Sequence, residues 1–367
     1  MHDANSIDVV IPSFRLDEEI LLNIFNLPKP ESFLVNYYLV ADNPIVDIPE
    51  KVKQLAIIQK INLIQNEVNL GFSRTRNNGI RLGNGKWLLL LDDDIVPSEG
   101  LLLAYADAIS KNSNAIGFAG VTNFPDPFNS PTMAMELNGL TGHFKSAKTI
   151  DELMWVPTAN VMLNRDKMDQ DLFNEDLKKG GEDIEFLVRN ATLFGERYIA
   201  VPDAIVTHPW WNNGTIQTER QFRYGVGAAQ IADLPVIKSY TYHDFTNTCE
   251  TLLLLVLALP YMILNGLFSV FFSLCLIVLI SEFLTNCIKT VFKVKKISFG
   301  LAVNMFWLKN CYEVGYLFES IKSGRFTGFA ERIETSFSKK NPSWFRLNKW
   351  KIIKTCLIGI GLLVISV

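Results

Sequence analysis

The chain has 367 residues, enough for one large α/β domain of about 240 residues plus an appendage. Its charge is unevenly divided: residues 1–248 carry 21 Lys and Arg against 32 Asp and Glu, whereas residues 249–367 carry 14 against 6. An acidic body followed by a basic, strongly apolar tail argues against nucleic acid as a partner, because the basic residues flank apolar runs and do not line the body. All five cysteines, Cys249, Cys275, Cys287, Cys311 and Cys356, fall in the tail, so no disulfide or thiolate metal site holds the body together, which fits a cytosolic compartment. Met1 to Ser6 is polar and the run after it is cut at Pro12, so no secretory signal is expected and the body is expected on the cytoplasmic side.

In chain order, Ile7 to Pro12 is a β-branched run stopped by proline, Asp17 to Phe25 has helical spacing, and Tyr37 to Ala41 is a second strand ending at Asp42-Asn43-Pro44. A third run, Ile61 to Ile64, precedes Asn69-Leu70-Gly71-Phe72, after which Ser73 is expected to cap a helix that ends at Gly83 and Gly85. Trp87 to Leu91 then reads as a fully buried parallel strand that delivers Asp92, Asp93 and Asp94 in a row. Strands alternating with helices predict a mostly parallel, doubly wound sheet with ligands beyond its C-terminal strand ends. Three carboxylates in a row require a cation or full hydrogen bonding; Asp92 and Asp94 are the natural pair for one divalent ion, and a helix cap by Asp94 or Ser98 is the plainer alternative. Ser13, Arg15 and Asp42 end on the same crevice, and Arg74, Arg76 and Asn77 open the intervening helix, where guanidinium groups suit a phosphate. Each also has an ordinary reading, Asp42 in a turn and Arg76 on a solvated face.

The ordered set VVIPSF, VADN, NLGFSRTRNNGI and LLLLDDDIVP resembles the nucleotide-sugar half of family 2 glycosyltransferases of GT-A fold, over about residues 7–230. The resemblance implies that the first-strand loop, Pro12, Ser13 and Arg15, and Asp42 hold the nucleotide with Arg76, Asn77, Asp92 and Asp93. It also implies that the DxD motif, mapped onto Asp92-Asp93-Asp94, binds Mn²⁺ or Mg²⁺ on the diphosphate through Asp92 and Asp94. No Walker A or GxGxxG loop is present, which weakens kinase and dehydrogenase readings.

On the acceptor side, Met154 to Leu163, with Trp155, looks like the family's acceptor strand. Gly180-Gly181-Glu182-Asp183 opens a helix with Ile184, Leu187 and Val188 as its buried stripe. The resemblance assigns the catalytic base to Asp183, beside Glu182; a capping box is the alternative. His208 is implied as a third metal ligand, Trp210 and Trp211 suit sugar rings or lipid headgroups, and Arg220 and Arg223 suit a pyrophosphate or a membrane surface. Processive family members carry Gln-x-x-Arg-Trp here. Gln217 and Arg220 fit, but Gln221 replaces the tryptophan, which puts processive synthesis in doubt.

Thr251 to Ile280 contains thirty residues without a charge. As one helix it would be about 45 Å long, beyond a bilayer core of about 30 Å, so it is split at Asn265-Gly266. The split returns Lys289, Lys293, Lys295 and Lys296 to the side of the enzyme domain, as the positive-inside bias prefers; a re-entrant hairpin is the alternative. Val303, Phe306, Trp307, Val314, Leu317, Phe318 and Ile321 predict an amphipathic helix, lying on the membrane or against the body, with Lys309 and Glu313 among its polar positions. A basic stretch with Trp344 and Trp350 leads to an apolar end.

The expected domains are therefore a GT-A domain over 1–235, a membrane hairpin over 236–296 (helices 249–265 and 267–288), an interfacial region over 297–350 and a third membrane helix over 351–367. The function expected from the resemblance and the tail is a membrane-anchored, metal-dependent, inverting, non-processive glycosyltransferase. It would move a sugar from a nucleotide-diphosphate sugar, with UDP the first nucleotide expected, to a lipid-linked saccharide acceptor. The rival readings are a metal-dependent nucleotidyl- or phosphotransferase on a lipid phosphate, and a non-catalytic membrane scaffold.

Overall fold

The computed structural model describes residues 2–342 and 346–366; Trp344 lies outside them. In chain order the elements are β1 (Asp3–Ser13), α1 (Glu18–Phe25), β2 (Leu34–Ala41), α2 (Glu50–Ile57), β3 (Asn62–Gln65), α3 (Phe72–Leu82), β4 (Gly85–Leu91), β5 (Val96–Pro97), α4 (Leu101–Lys111), β6 (Gly117–Asn123) and α5 (Ser130–Leu137). They continue with β7 (Glu152–Leu153), β8 (Asn160–Asn164), α6 (Glu182–Phe194), β9 (Tyr198–Thr207), α7 (Thr218–Ile231), α8 (Pro235–Lys238), β10 (Thr241–His243), α9 (Thr248–Leu264), α10 (Phe268–Val294), α11 (Phe299–Lys322), β11 (Glu331–Ile333) and α12 (Lys349–Ser366). Two compact units result, Met1–Asp126 with Thr141–Trp210, and Pro127–Leu140 with Trp211–Val367.

The first unit is built on a nine-stranded sheet in the order β3-β2-β1-β4-β8-β6-β9-β5, with β7 paired to β9. Strands β3, β2, β1 and β4 are parallel neighbours, β8 runs antiparallel between β4 and β6, and β6 is parallel to β9. Six strands therefore share one direction, the mostly parallel α/β sheet expected, and β5, β7 and β8 oppose it. Leu88 to Leu91 are 0 % exposed, and burying each such leucine contributes about 1.5–3 kcal/mol, so the strand that carries the aspartates is firmly held. Pro12 lies beyond the last β1–β4 pair, Val10 with Leu90, where a missing N–H costs least.

Several local expectations change. The Met154 to Leu163 run is a strand only from Asn160 onward, since Pro157 has no N–H for a ladder. Helix α3 starts behind Gly71 at φ +80°, with Ser73 buried inside its first turn, because the turn before it is shaped by bonds to Asp42. Helix α4 begins behind Gly100 without a side-chain cap, so neither Asp94 nor Ser98 caps it. The buried face of α6 is Phe186, Leu187, Val188 and Ala191, with Ile184 only half-buried.

In the second unit α9 ends at Asn265, Gly266 takes φ +69°, and α10 begins two residues later. Among the described residues α10 is the one helix long and apolar enough to cross a membrane; α9 is shorter, and 28 % of the most apolar stretch of α10 is buried. Helix α11 buries Leu301, Met305, Leu308 and Tyr316, yet it also exposes an apolar row. Val303, Trp307, Val314, Phe318 and Ile321 are exposed while Glu313, Glu319 and Ser320 are buried. The polar side is neutralised inside the unit: Lys309 meets Glu282 at 2.9 Å and Glu313 at 2.7 Å, Lys354 meets Glu282 at 2.7 Å, and Arg332 meets Glu250 at 2.7 Å. Buried charges paired in this way avoid the several-kcal/mol penalty of isolated ones.

Helices α7 and α11 cross at two glycines. A Cβ on Gly225 would strike the carbonyl of Tyr312, and one on Gly315 the carbonyl of Phe222. Backbone cannot yield as a flexible side chain can, so Gly225→Ala and Gly315→Ala should each destabilise the protein by about 1–3 kcal/mol, as overpacking does. Thermal denaturation in detergent reads this; an unchanged midpoint in both variants would contradict the close crossing.

Candidate active site

The C-terminal ends of β1, β2 and β4 lie side by side, so the residues after them share one crevice. The three adjacent aspartates diverge there. Asp93 turns toward the β1 loop, where one oxygen accepts from Ser13 Oγ and from the backbone N–H groups of Phe14 and Arg15, all at 2.9 Å, and the other meets Arg15 Nη1 at 2.7 Å. Asp94 has Arg15 Nη2 at 2.9 Å on one oxygen and His208 Nε2 at 3.2 Å on the other. Asp92 turns to Arg76, Nη2 to Oδ1 at 3.2 Å. Asp93 is thus a structural anchor for Ser13 and Arg15, while Asp94 and His208 face each other.

Strand β9 ends at Thr207 and delivers His208 to this point. The imidazole is stacked on Phe124 at 5.0 Å and its Nδ1 contacts the carbonyl of Pro209, which leaves Nε2 turned to Asp94. Burial opposes the imidazolium, but the Asp94 carboxylate, the Pro209 carbonyl and Asp92 outweigh it and hold the His208 pKa above its ordinary value. For Asp92, burial raises the pKa, Arg76 pulls it down, and Asp94 and Asp93 push it up again, for a net rise.

Arg76 is buried and bridges the two sides of the crevice, meeting Asp92 and also Glu182 Oε1, the latter at 2.9 Å. Glu182 therefore serves Arg76. Asp183 follows it in the first turn of α6, behind the left-handed Gly181, and accepts from the N–H of Ile184 at 2.8 Å; no capping box forms. Burial raises the Asp183 pKa, Ile184 and Arg76 lower it, and the charge of Asp92 raises it again, for a net rise. Of the triplet, Asp92 is the member whose charge acts on Asp183.

Other expected ligands have local partners. Asp42 accepts from Asn66 Nδ2 and Leu70 N–H at 2.8 Å and from Gly71 N–H at 2.9 Å, so it fixes the turn into α3. Asn77 clamps Phe173 through N–H and carbonyl bonds at 3.0 and 2.8 Å. Trp155 and Trp210 are buried, Trp155 beside His143 and Trp210 donating to the Pro125 carbonyl at 3.0 Å. In the other unit, Trp211 is buried under the Arg220 guanidinium, 4.6 Å from its ring. Arg220 also donates to Tyr224 at 3.1 Å, and Arg223 lies 5.8 Å over the Tyr224 ring. These tryptophans pack internally instead of offering open faces. Sequence reading missed the bridging role of Arg76 and the double contact of Arg15, for which residue type and spacing carry no signal.

Glu182 is pushed up to about 7 by burial and by the charge of Asp183, against the pull of Arg76. The folded value exceeds the ordinary one, so the folded state keeps a proton that the unfolded chain has lost. Stability from this group is full below about pH 4.5 and is lost as pH rises through about 7. Glu182→Gln should flatten that slope in chemical denaturation between about pH 5 and 8; an unchanged slope would contradict the assignment.

No curated protein matches the chain significantly. Among solved structures it is similar to the mannosyltransferase PcManGT from Pyrobaculum calidifontis, in complex with GDP-Man and Mn²⁺, at TM-score 0.47 and 17 % identity, covering 63 % of this chain and 64 % of that one. It is similar to TarS of S. aureus at 0.43 and 16 %, covering 62 % and 40 %, and to GalNAc-T7 with UDP, GalNAc and Mn²⁺ at 0.47 and 15 %, covering 64 % and 49 %. The chain thus spans less than two thirds of the length of each of these. Residues 8–173 match the model of the family described as Glycosyl transferase family 2. The matched segment runs from β1 through β8, holds the aspartate triplet, Arg15 and Arg76, and covers 166 of the 367 residues, less than half of the chain.

Proposed function

We propose that the protein transfers a sugar from a nucleotide-diphosphate sugar, with UDP the first nucleotide to test, to a hydroxyl of a lipid-linked saccharide, with inversion and without processive elongation. The observation that carries this reading is the pairing of Asp94 with His208 at 3.2 Å. Two atoms bound at about 2.1 Å to one ion at right angles stand about 3 Å apart, so the pair suits two adjacent ligands of one divalent cation. Among the described residues no set of three or more His, Cys, Asp or Glu side chains forms a metal cage. An ion shared with a diphosphate needs none, since phosphate oxygens and water complete its shell. An imidazole beside a carboxylate favours Mn²⁺ over Mg²⁺, which prefers oxygen ligands. Asp94 and His208 would hold the ion, with Asp92 at its edge; when bound it supplies positive charge against the diphosphate as that group departs.

The remaining work falls to the chain. Asp183 accepts the proton of the acceptor hydroxyl, and that oxygen attacks the anomeric carbon on the face opposite the leaving diphosphate. One displacement inverts the centre and needs no nucleophilic carboxylate. Arg76 keeps Asp92 and Glu182 aligned on either side. What supports a membrane-bound acceptor is the second unit: the apolar α10, the outward apolar row of α11, and the inward pairing of its charges, an arrangement suited to lipid. With α9 and α10 crossing as a hairpin, Lys293, Lys295 and Lys296 at the end of α10 lie on the side from which α9 enters, and the positive-inside bias then supports a cytoplasmic catalytic side. Anchoring would raise the local concentration of a lipid-linked acceptor.

Asp183→Asn should lower transfer by about 10²–10⁴-fold while leaving metal-dependent nucleotide binding intact. Because the Asp183 pKa is raised, the wild-type rate should fall on its acid side at a pH above the ordinary carboxylate range, as the base becomes protonated. Transfer assays with UDP-sugars and a lipid-linked saccharide, beside nucleotide titrations, check both; full transfer by the variant would contradict the base assignment.

A further inference from the structure

Arg15 occupies an unusual position for a residue at a donor site. Its guanidinium forks between Asp93 Oδ1 at 2.7 Å and Asp94 Oδ2 at 2.9 Å, yet its side chain is 53 % exposed. Its backbone is fixed independently, because the Arg15 N–H donates to Asp93 Oδ2 at 2.9 Å. The backbone therefore stays in place if the guanidinium moves away. Asp93 would keep Ser13 Oγ and the N–H groups of Phe14 and Arg15, whereas Asp94 would lose a full positive charge on the oxygen not turned to His208. A diphosphate is the natural competitor for that guanidinium, since Arg pairs with phosphate oxygens through the same planar fork.

We propose that Arg15 is an exchangeable counter-ion, which covers Asp94 in the empty enzyme and moves to the donor diphosphate when nucleotide enters, freeing Asp94 for the divalent cation. The inference rests on the donor-site reading above and adds a coupling to it. Metal and nucleotide then bind with positive cooperativity, because each removes a cost that the other would meet alone, and linkage requires the effect to be reciprocal. Arg15 acts here as a positioning residue: it sets the order and strength of metal loading and transfers no proton.

The test is Mn²⁺ binding to the full chain in detergent, followed by the paramagnetic signal of free Mn²⁺, without nucleotide and then with saturating UDP or GDP. In the wild type, nucleotide should tighten Mn²⁺ about tenfold or more, within the usual range of coupling between sites. In Arg15→Gln, Mn²⁺ alone should bind about tenfold tighter than to the wild type, and nucleotide should add little. Arg15→Lys, which keeps the charge but cannot fork between two carboxylates, should fall between them. Asp94→Asn serves as the control that the ion measured is at this site. If Mn²⁺ binds the wild type in an Asp94-dependent way but Arg15→Gln binds it no more tightly and keeps the full nucleotide effect, the exchange is wrong and the donor site stands. If neither protein binds Mn²⁺ with or without nucleotide, both the exchange and the metal reading fall.

Discussion

Three carboxylates on consecutive residues at the end of a buried strand cannot be left to repel one another, and the crevice is organised by how they are kept apart. Asp92 is taken by Arg76, Asp93 by the β1 loop, and Asp94 by Arg15 and His208. Each capture sends a different element into place. The Asp93 bonds shape the loop after β1, the Arg76 bridge ties the triplet to α6, and the His208 contact ties it to the end of β9. The sheet order makes this possible by setting β1 and β4 side by side and in parallel.

The same economy of charge governs the second unit. Helices α10, α11 and α12 bring Glu282, Lys309, Glu313 and Lys354 together while apolar side chains point outward. Ion pairs buried beside Leu301, Met305 and Leu308, with a further apolar row exposed, differ from a soluble helical bundle, in which the outer face is the charged one. Two glycines allow α7 and α11 to approach until backbone meets backbone, beside the ring contact of Phe222 with Phe318 at 5.7 Å.

Much of the sheet could be read from the chain because its strands are short β-branched or leucine runs closed by Pro, Gly or Asp, and such punctuation has a direct steric cause. The aspartates and the helix opened by Gly181 were legible for the same reason. What could not be read is direction. Whether Asp93 faces the metal side or the loop depends on where three N–H groups lie, and those belong to residues about eighty positions away. The ligand role of Asp42 comes from the resemblance alone, and its hydrogen bonds to the turn into α3 agree with the ordinary reading of an aspartate in a turn. The apolar row of α11 was visible as a period, but a period does not say which face is inward; the answer came from Glu282 on another helix. Trp155, Trp210 and Trp211 stand near candidate site residues in sequence and are nonetheless packed inside.

The central claim is that Asp94 and His208 hold one divalent cation against the donor diphosphate. Pulsed electron paramagnetic resonance on the enzyme loaded with Mn²⁺ and nucleotide tests it most directly, because a directly bound imidazole imprints the nuclear frequencies of its nitrogen on the Mn²⁺ signal. The account predicts a nitrogen coupling that disappears in His208→Ala and phosphorus coupling from the nucleotide in the wild type. Mn²⁺ bound together with nucleotide but showing no nitrogen coupling in the wild type would contradict it.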